Sequence, residues 1–260
     1  MSADLVQKGT PMSAVLTPVR PSVRTARPSV PTLVRIEVRK SLATRSGKAL
    51  AVAAVVLPPS AMAVASAGGE AIGGATGPIA AMGIFAALLL LALGVLSTAG
   101  EWTHRTVQTT FLLVPQRGRV LASKGLAVGL LAAVLAALST AASTAVLATT
   151  MGSDLSWAGT PQAMATVVAA GAAFAVIGAG VGAAMANVPA ALTSLYLVVL
   201  GVMPVLATVK PVIGAHLDPN GAILSLAQQQ DQARAVGILV GWVVVTTVAG
   251  VVLTSRRQVA

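Results

Sequence analysis

The sequence predicts an all-α integral membrane protein with six transmembrane helices and an amphipathic helix before them. Its composition is strongly apolar, since 56% of the 260 residues are hydrophobic and 9% are charged, whereas an average soluble domain carries roughly 25% charged residues. The mean hydropathy is +0.87. The apolar residues also come in blocks of about 20, the length a helix needs to cross about 30 Å of hydrocarbon.

Residues 1–31 are predicted to form a disordered, basic, Pro-rich cytoplasmic tail. The first long apolar run begins near Ala49, far beyond the basic start of a signal peptide, so we expect no signal peptide. Attraction of the tail to anionic lipid headgroups is the functional alternative.

Residues 32–48 have the pattern of an interfacial amphipathic helix. Val34, Val38 and Leu42 recur every four residues and form an apolar stripe. Basic side chains lie beside it, and such a helix is typical of the membrane surface. These are Arg35, Arg39, Lys40 and Arg45.

The remaining domain, residues 49–257, contains six apolar blocks, at about 49–67, 78–99, 121–148, 164–185, 190–209 and 236–254. Pro58 and Pro59 predict a kink or break in the first span, and Pro204 predicts the same in the fifth. Three GxxxG pairs allow close helix approach where they face a neighbour. They are Gly125 and Gly129, Gly178 and Gly182, and Gly237 and Gly241.

The distribution of basic residues predicts that both termini are cytoplasmic. Nine Lys and Arg precede Ala49, four lie in residues 100–124 and two end the chain, so 15 of the 17 fall on one side. Lys210 and Arg234 fall on the other side, together with Glu70, Asp154, Asp218 and Asp231. By the positive-inside rule, the basic side is cytoplasmic and the acidic residues are external.

Several kinds of chemistry are not expected. The sequence has no GxxxxGK[ST] motif, so we expect no ATP hydrolysis by the chain alone. Cysteine is absent, and His104 and His216 are predicted on opposite membrane faces, so we expect no metal site or cofactor. Aromatic residues make up 3% of the chain and do not alternate with basic ones, which argues against a nucleic-acid partner.

Polar groups within the spans are few. No ionisable residue lies in the centre of a span, which argues against a proton-driven carrier but leaves sodium coupling through hydroxyls and carbonyls open. Hydroxyls cluster in the third span and either line a polar path or bond to carbonyls of their own helix; we expect the latter. They are Ser139, Thr140, Ser143 and Thr144.

The segment GEWTHRTVQTTFLLVPQRGRVLASK, residues 100–124, is the most informative. Taken alone, it fits an ordinary charged interfacial loop as well as a short helix carrying Glu101 and Arg105 one turn apart. It resembles the cytoplasmic segment that follows span two in the ABC-2 family of transporter permeases. The matching residues are Glu101, His104, Thr106, Pro115, Arg117, Arg119 and Lys124, while Arg105 stands where Gly is frequent.

Residues 32–48 likewise resemble the elbow helix of that family, in the arrangement E-x-x-K-x-x-x-T-R at Glu37, Lys40, Thr44 and Arg45. The resemblance covers about residues 33–257. It implies an elbow helix, a short cytoplasmic coupling helix and short reentrant helices within residues 211–234. It also implies contacts with an ATPase through Glu37, Lys40, Arg45, Glu101, His104, Arg105 and Thr106.

By the same resemblance, two six-span subunits, identical or different, dock on two copies of a separate cytoplasmic ATPase in the bacterial plasma membrane. The expected function is a permease that exports an amphiphilic or hydrophobic substrate such as a drug, peptide or lipid between the subunits. It is not an enzyme on its own. The alternatives are a membrane scaffold or sensor that binds the ATPase without transport, and an ion-coupled secondary carrier.

Overall fold

The computed structural model describes residues 29–68, 73–103, 117–152 and 155–257, and these residues form helices without strands. A π-helical segment, Leu197–Val202, joins α6 to α7. The helices are α1 Val30–Ser41, α2 Arg45–Ser66, α3 Thr76–Thr103, α4 Arg117–Met151, α5 Thr160–Met185, α6 Val188–Tyr196, α7 Met203–Val209, α8 Pro211–Leu217, α9 Pro219–Ala227 and α10 Gln232–Arg256.

The predicted all-α class is confirmed, since the described residues contain six helical stretches long and apolar enough to cross a membrane. They are α2, α3, α4, α5, α6 with α7, and α10. Large apolar side chains such as Val52, Leu130 and Val244 are exposed on the bundle surface, as lipid-facing side chains are in a membrane protein. The predicted tail, apart from its last three residues, and the predicted external residues Glu70 and Asp154 lie outside the described residues.

Helices α3 and α5 pack closely because glycines line their contact. A Cβ atom on Gly94 of α3 would lie 2.0 Å from the Ala175 carbonyl oxygen, and one on Gly178 of α5 would lie 2.1 Å from the Leu91 carbonyl oxygen. The GxxxG pair Gly178 and Gly182 therefore faces a neighbouring helix, as its spacing allows. By contrast, a Cβ on either glycine of the α10 pair, residues 237 and 241, would meet nothing within 4 Å.

The helix geometry around the prolines differs between the first and the fifth span. Helix α2 continues unbroken through Pro58 and Pro59, so the predicted break is not observed. In the fifth span, the π-helical segment ends just before Pro204. Because proline donates no backbone hydrogen bond to the preceding turn, a locally wider turn is a common accommodation.

Helix α1 is amphipathic, as predicted, and its apolar stripe faces the bundle. Val38 and Leu42 pack against a core cluster formed by α2, α3, α4 and α5. The helix ends at Ser41, and α2 begins at Arg45, so the predicted segment 32–48 comprises two helices. The division occurs because the Thr44 hydroxyl accepts a hydrogen bond from the Gly47 N–H at 3.0 Å and caps α2.

Two short helices, α8 and α9, lie between the fifth and sixth spans, within the region where the sequence predicts short helices. The Asp218 carboxylate caps α9 by accepting from the N–H groups of Asn220 and Gly221 at 2.9 and 3.0 Å. Trp242 of α10 donates to the Leu217 carbonyl at 2.9 Å, which fastens α8 to the last span. That α8 and α9 are reentrant remains a prediction.

Candidate functional site

The charged end of the bundle consists of α1, the last turn of α3, the first turns of α4 and the last turns of α5 and α10. Its candidate site is an ion-pair cluster, which we define as Glu37 and Lys40 of α1, Glu101 of α3 and Lys124 of α4. The two carboxylates and two ammonium groups balance in charge. Three separate stretches of sequence, which contribute residues 37 and 40, residue 101 and residue 124, thus meet at one point.

Helix α1 places the two N-terminal members of the cluster. Glu37 lies one turn after Leu33 and Val34, on the face of α1 that packs against the bundle, and the residue is 8% exposed. Lys40 lies one turn later, and its ammonium group donates to the Glu37 carboxylate at 2.9 Å. The apolar stripe of α1 therefore determines which of its charged side chains reach the bundle.

Lys124 is the most buried member of the cluster, with a side chain 5% exposed. Its ammonium group donates to Glu37 Oε2, to Glu101 Oε1 at 2.8 Å and to the Ser97 carbonyl at 3.2 Å. An ammonium group has three protons to donate, so all of its donor capacity is used. Lys124 thereby links α1, α3 and α4.

Glu101 lies between the two lysines at the end of α3. Its Oε1 atom accepts from Lys124 at 2.8 Å and from Lys40 at 3.2 Å. The Glu101 side chain is 14% exposed, whereas that of Lys40 is 45% exposed. The cluster therefore has a buried part around Lys124 and a solvent-facing part at Lys40.

The charges shift the pKa values of both α1 residues in the direction that favours ionisation. Burial alone would raise the pKa of Glu37, but the adjacent ammonium groups of Lys124 and Lys40 outweigh it and lower this pKa. Burial alone would lower the pKa of Lys40, but its hydrogen bond to Glu37 and the charges of Glu101 and Glu37 raise it. Both groups are therefore charged throughout the physiological pH range.

A second set of contacts lies beside the cluster. The guanidinium group of Arg257 donates to the Ala183 carbonyl at 2.9 Å and to the Ala184 carbonyl, at the end of α5. The same group lies 5.3 Å from the centre of the Trp102 ring, within the range of a cation–π interaction. The last turn of α10 is thus attached to α5 and to the residue that follows Glu101.

Of the site residues predicted from the sequence, the structure brings Glu37, Lys40 and Glu101 together. Arg45 lies apart from the cluster as the first, exposed residue of α2. Three others, His104, Arg105 and Thr106, lie outside the described residues. Whether any of these residues contacts an ATPase remains a prediction.

Sequence reasoning missed Lys124 as a site residue, although it was part of the family resemblance. The signal was its position near the start of the apolar block 121–148, because an ammonium group at the edge of a span requires an anionic or carbonyl partner. The contact between Arg257 and Trp102 was also missed, since Trp102 fitted an ordinary interfacial anchor. No protein-family model matches the chain, and no curated protein shows significant similarity to it.

Proposed function

We propose that this protein is the membrane-spanning permease subunit of an ABC transporter of the ABC-2 type. The observation that supports this most is the ion-pair cluster, because it joins α1 to Glu101, the two places that the resemblance assigns to contact with an ATPase. The six apolar helices supply the membrane domain. ATP hydrolysis takes place on a separate partner, since the sequence has no P-loop.

The cluster suggests how such a partner would act on the permease. The Lys124 ammonium group binds both Glu37 and Glu101, so α1 is held to the end of α3 and to the start of α4. In the sequence, these two helix ends come directly before and after residues 104–116. A displacement of α1 by the ATPase is therefore transmitted directly to two spans. In this proposal Glu101 positions the end of α3, and its charge is already neutralised by the lysines of its own chain.

We further propose that the charged end is cytoplasmic and that the protein lies in the bacterial plasma membrane. The 15 of 17 basic residues assigned to that side support this orientation. Two permease subunits with two ATPase subunits then export an amphiphilic or hydrophobic substrate. Labelling of the variant Asp218→Cys in the cysteine-free chain tests the orientation, because reaction only from the cytoplasmic side overturns it.

The functional test reconstitutes the full chain in proteoliposomes, alone and together with a separately purified ABC ATPase subunit that binds it. We expect no ATP hydrolysis by the chain alone, ATPase activity stimulated by substrate in the complex, and ATP-dependent transport. ATPase binding without transport would indicate a scaffold instead, and transport driven by an ion gradient without ATP would indicate a secondary carrier.

The variant Glu101→Gln tests the role of the cluster at equal membrane abundance, with Arg35→Gln as an exposed control on α1. Removing one member of a desolvated charge pair costs about 2 kcal/mol or more, so we expect Glu101→Gln to lose most transport and ATPase stimulation. The control retains both. Wild-type transport in Glu101→Gln would remove the cluster from the mechanism.

A further inference from the structure

A cavity of about 270 Å³ lies between the end of the fifth span, the two short helices and the start of the sixth span. Its walls come from α7, α8, α9 and α10. Helix α10 starts at this cavity and ends beside Arg257, which contacts Trp102 next to the ion-pair cluster, so the cavity and the cluster lie at opposite ends of the bundle. Sites that enclose a whole drug-sized ligand measure roughly 300–1,000 Å³, so this cavity suits one headgroup of a larger molecule.

Close packing of α8 on α7 forms one wall of the cavity. A Cβ atom on Gly214 of α8 would lie 2.5 Å from the Cα of Ala207 in α7, so the two backbones are in direct contact. The Asp218 cap fixes the start of α9, and the hydrogen bond from Trp242 to the Leu217 carbonyl fixes the end of α8. The cavity is therefore held by packing and by hydrogen bonds, as preformed ligand sites usually are.

Arg234 of α10 supplies the positive charge of the lining. Its Nη2 atom lies 2.7 Å from Asp231 Oδ2, in an ion pair whose side chains are 37% and 63% exposed. Exposed ion pairs of this kind contribute little. A guanidinium group has five N–H donors, so Arg234 can bind an anion in the cavity through the donors that face away from Asp231.

Asp218 supplies the negative charge of the lining. Its two carboxylate oxygens accept from the backbone N–H groups of Asn220 and Gly221 at 2.9 and 3.0 Å. Each carboxylate oxygen can accept a second hydrogen bond. Arg234 pairs with Asp231 and not with Asp218, so the cavity contains two opposite charges that do not neutralise each other directly.

The rest of the lining is mainly apolar, apart from the hydroxyl of Ser225. Its apolar members are Ala207, Pro211, Ala215, Ala222, Ala235 and Ile238. Large apolar side chains are also exposed on or beside the helices that form the walls, at Val209, Val212 and Val236. A ligand with a charged head in the cavity would therefore meet apolar surface on its way out, as an acyl chain does at the edge of a membrane.

The hydroxyl groups of α4 offer no comparable site. Three of them, on Thr140, Ser143 and Thr144, have no hydrogen-bond partner among the described residues, so the expectation that they bond within their own helix is wrong for these three. Their oxygen atoms are enclosed by protein. Ser225 differs because it lines a cavity.

We propose that this cavity binds the phosphoethanolamine headgroup of a membrane lipid, with the phosphate on Arg234 and the ammonium group on Asp218. Arginine pairs with phosphate through two parallel hydrogen bonds, and a carboxylate accepts from an ammonium group. A zwitterion matches both charges, whereas an anion or a cation alone would meet one charge of its own sign. The site does not depend on ATP-driven transport.

A choline headgroup fits the lining less well. Its quaternary ammonium group has no N–H to donate to Asp218, and proteins usually bind such groups with aromatic rings. No aromatic residue is among the described residues that line the cavity. The lining therefore favours ethanolamine over choline.

Binding of dihexanoyl phosphatidylethanolamine to the purified full chain in a maltoside detergent provides the first test, by isothermal titration calorimetry. We expect saturable binding that Arg234→Gln and Asp218→Asn each weaken about tenfold or more, because each variant loses a hydrogen bond to a charged group. Asparagine caps helices as well as aspartate does, so Asp218→Asn should keep the Tm of the wild-type protein. Lys210→Gln is the matched control, since it removes an exposed positive charge near the cavity from a residue that does not line it, and we expect unchanged binding.

The two charge variants together determine the kind of ligand. Weaker binding in Arg234→Gln with equal or tighter binding in Asp218→Asn would indicate a site for anions and overturn the zwitterion. Weaker binding in Asp218→Asn alone would indicate a site for cations and overturn it as well. Unchanged binding in both variants would show that the lipid binds elsewhere.

Three probes distinguish the sources of the headgroup in the same assay. We expect dihexanoyl phosphatidylethanolamine to bind more tightly than dihexanoyl phosphatidylcholine and than phosphoethanolamine, which has no acyl chains. Equal affinity for the choline lipid would overturn the bond between an ammonium group and Asp218. Equal affinity for phosphoethanolamine would assign the cavity to a water-soluble zwitterion and overturn the assignment to a lipid. No ATPase is present in this assay, so its outcome is independent of the proposed permease function.

Discussion

The ammonium group of Lys124 lies 2.8 Å from Glu101 Oε1, so the start of α4 is bonded to the end of α3. The same ammonium group also binds Glu37 of α1. One side chain therefore holds three helices together at the charged end. Its burial makes this contact the most sensitive point of the cluster.

We expect Lys124→Met to destabilise the protein strongly. The substitution keeps an unbranched side chain that is one atom shorter, but it leaves the Glu37 and Glu101 carboxylates without their buried cation. Removing one partner of a buried ion pair costs about 3–5 kcal/mol. The measurement is the free energy of unfolding in detergent, and Lys48→Met, which alters an exposed lysine at the start of α2, is the control. Equal stability of the two variants would contradict the prediction.

A second substitution is expected to repair part of that loss. The double variant Glu37→Leu with Lys124→Met removes one carboxylate together with the ammonium group, and the pair of Lys40 with Glu101 remains. Because a balanced apolar replacement of an ion pair is often close to neutral, we expect the double variant to be more stable than Lys124→Met alone. The double-mutant cycle should show a coupling of about 0.5–3 kcal/mol. Additive effects would mean that Glu37 and Lys124 do not interact.

The pKa shifts predict how stability depends on pH. The lowered pKa of Glu37 contributes stability above its ordinary value of 4.5, and this contribution is lost as the pH falls through the lower value in the folded protein. The raised pKa of Lys40 contributes below its ordinary value of 10.5 and is lost as the pH rises through the higher folded value. We therefore expect the contribution of these two groups to be constant between about pH 5 and 10.

Thermal unfolding from pH 3 to 7 checks the acid side. The wild-type protein should lose Tm below about pH 4.5, and Glu37→Gln, which cannot ionise at this position, should lose less over the same range. An identical acid dependence in both proteins would show that other carboxylates cause it.

Glycine substitutions test the packing of the spans. Gly178→Ala places a Cβ 2.1 Å from a backbone oxygen of α3, and we expect it to cost about 1–3 kcal/mol by overpacking. Gly237→Ala meets nothing within 4 Å, and we expect it to stabilise the helix by up to about 1 kcal/mol. The free energies of unfolding of the two variants check both signs. A loss of stability in Gly237→Ala would indicate that this surface contacts another subunit.

The sequence predicted the spans correctly because their length and hydropathy are local properties. It also selected Glu37, Lys40 and Glu101 through a family pattern, but the pattern did not state that these residues bind one another. That pairing depends on the packing of α1 against α3 and α4, which no local spacing reveals. Lys124 was missed for this reason. The helix predicted over residues 32–48 instead ends at Ser41, because the Thr44 cap competes with helix continuation.

The close contact of α3 with α5 limits how the bundle can move. Gly94 and Gly178 bring the two backbones into direct contact. Sliding one helix along the other would therefore drive backbone atoms into collision. Packed interfaces of this kind shift between discrete arrangements and do not deform gradually. Any rocking motion that opens a path across the membrane must therefore carry α3 and α5 together and place its pivot elsewhere in the bundle.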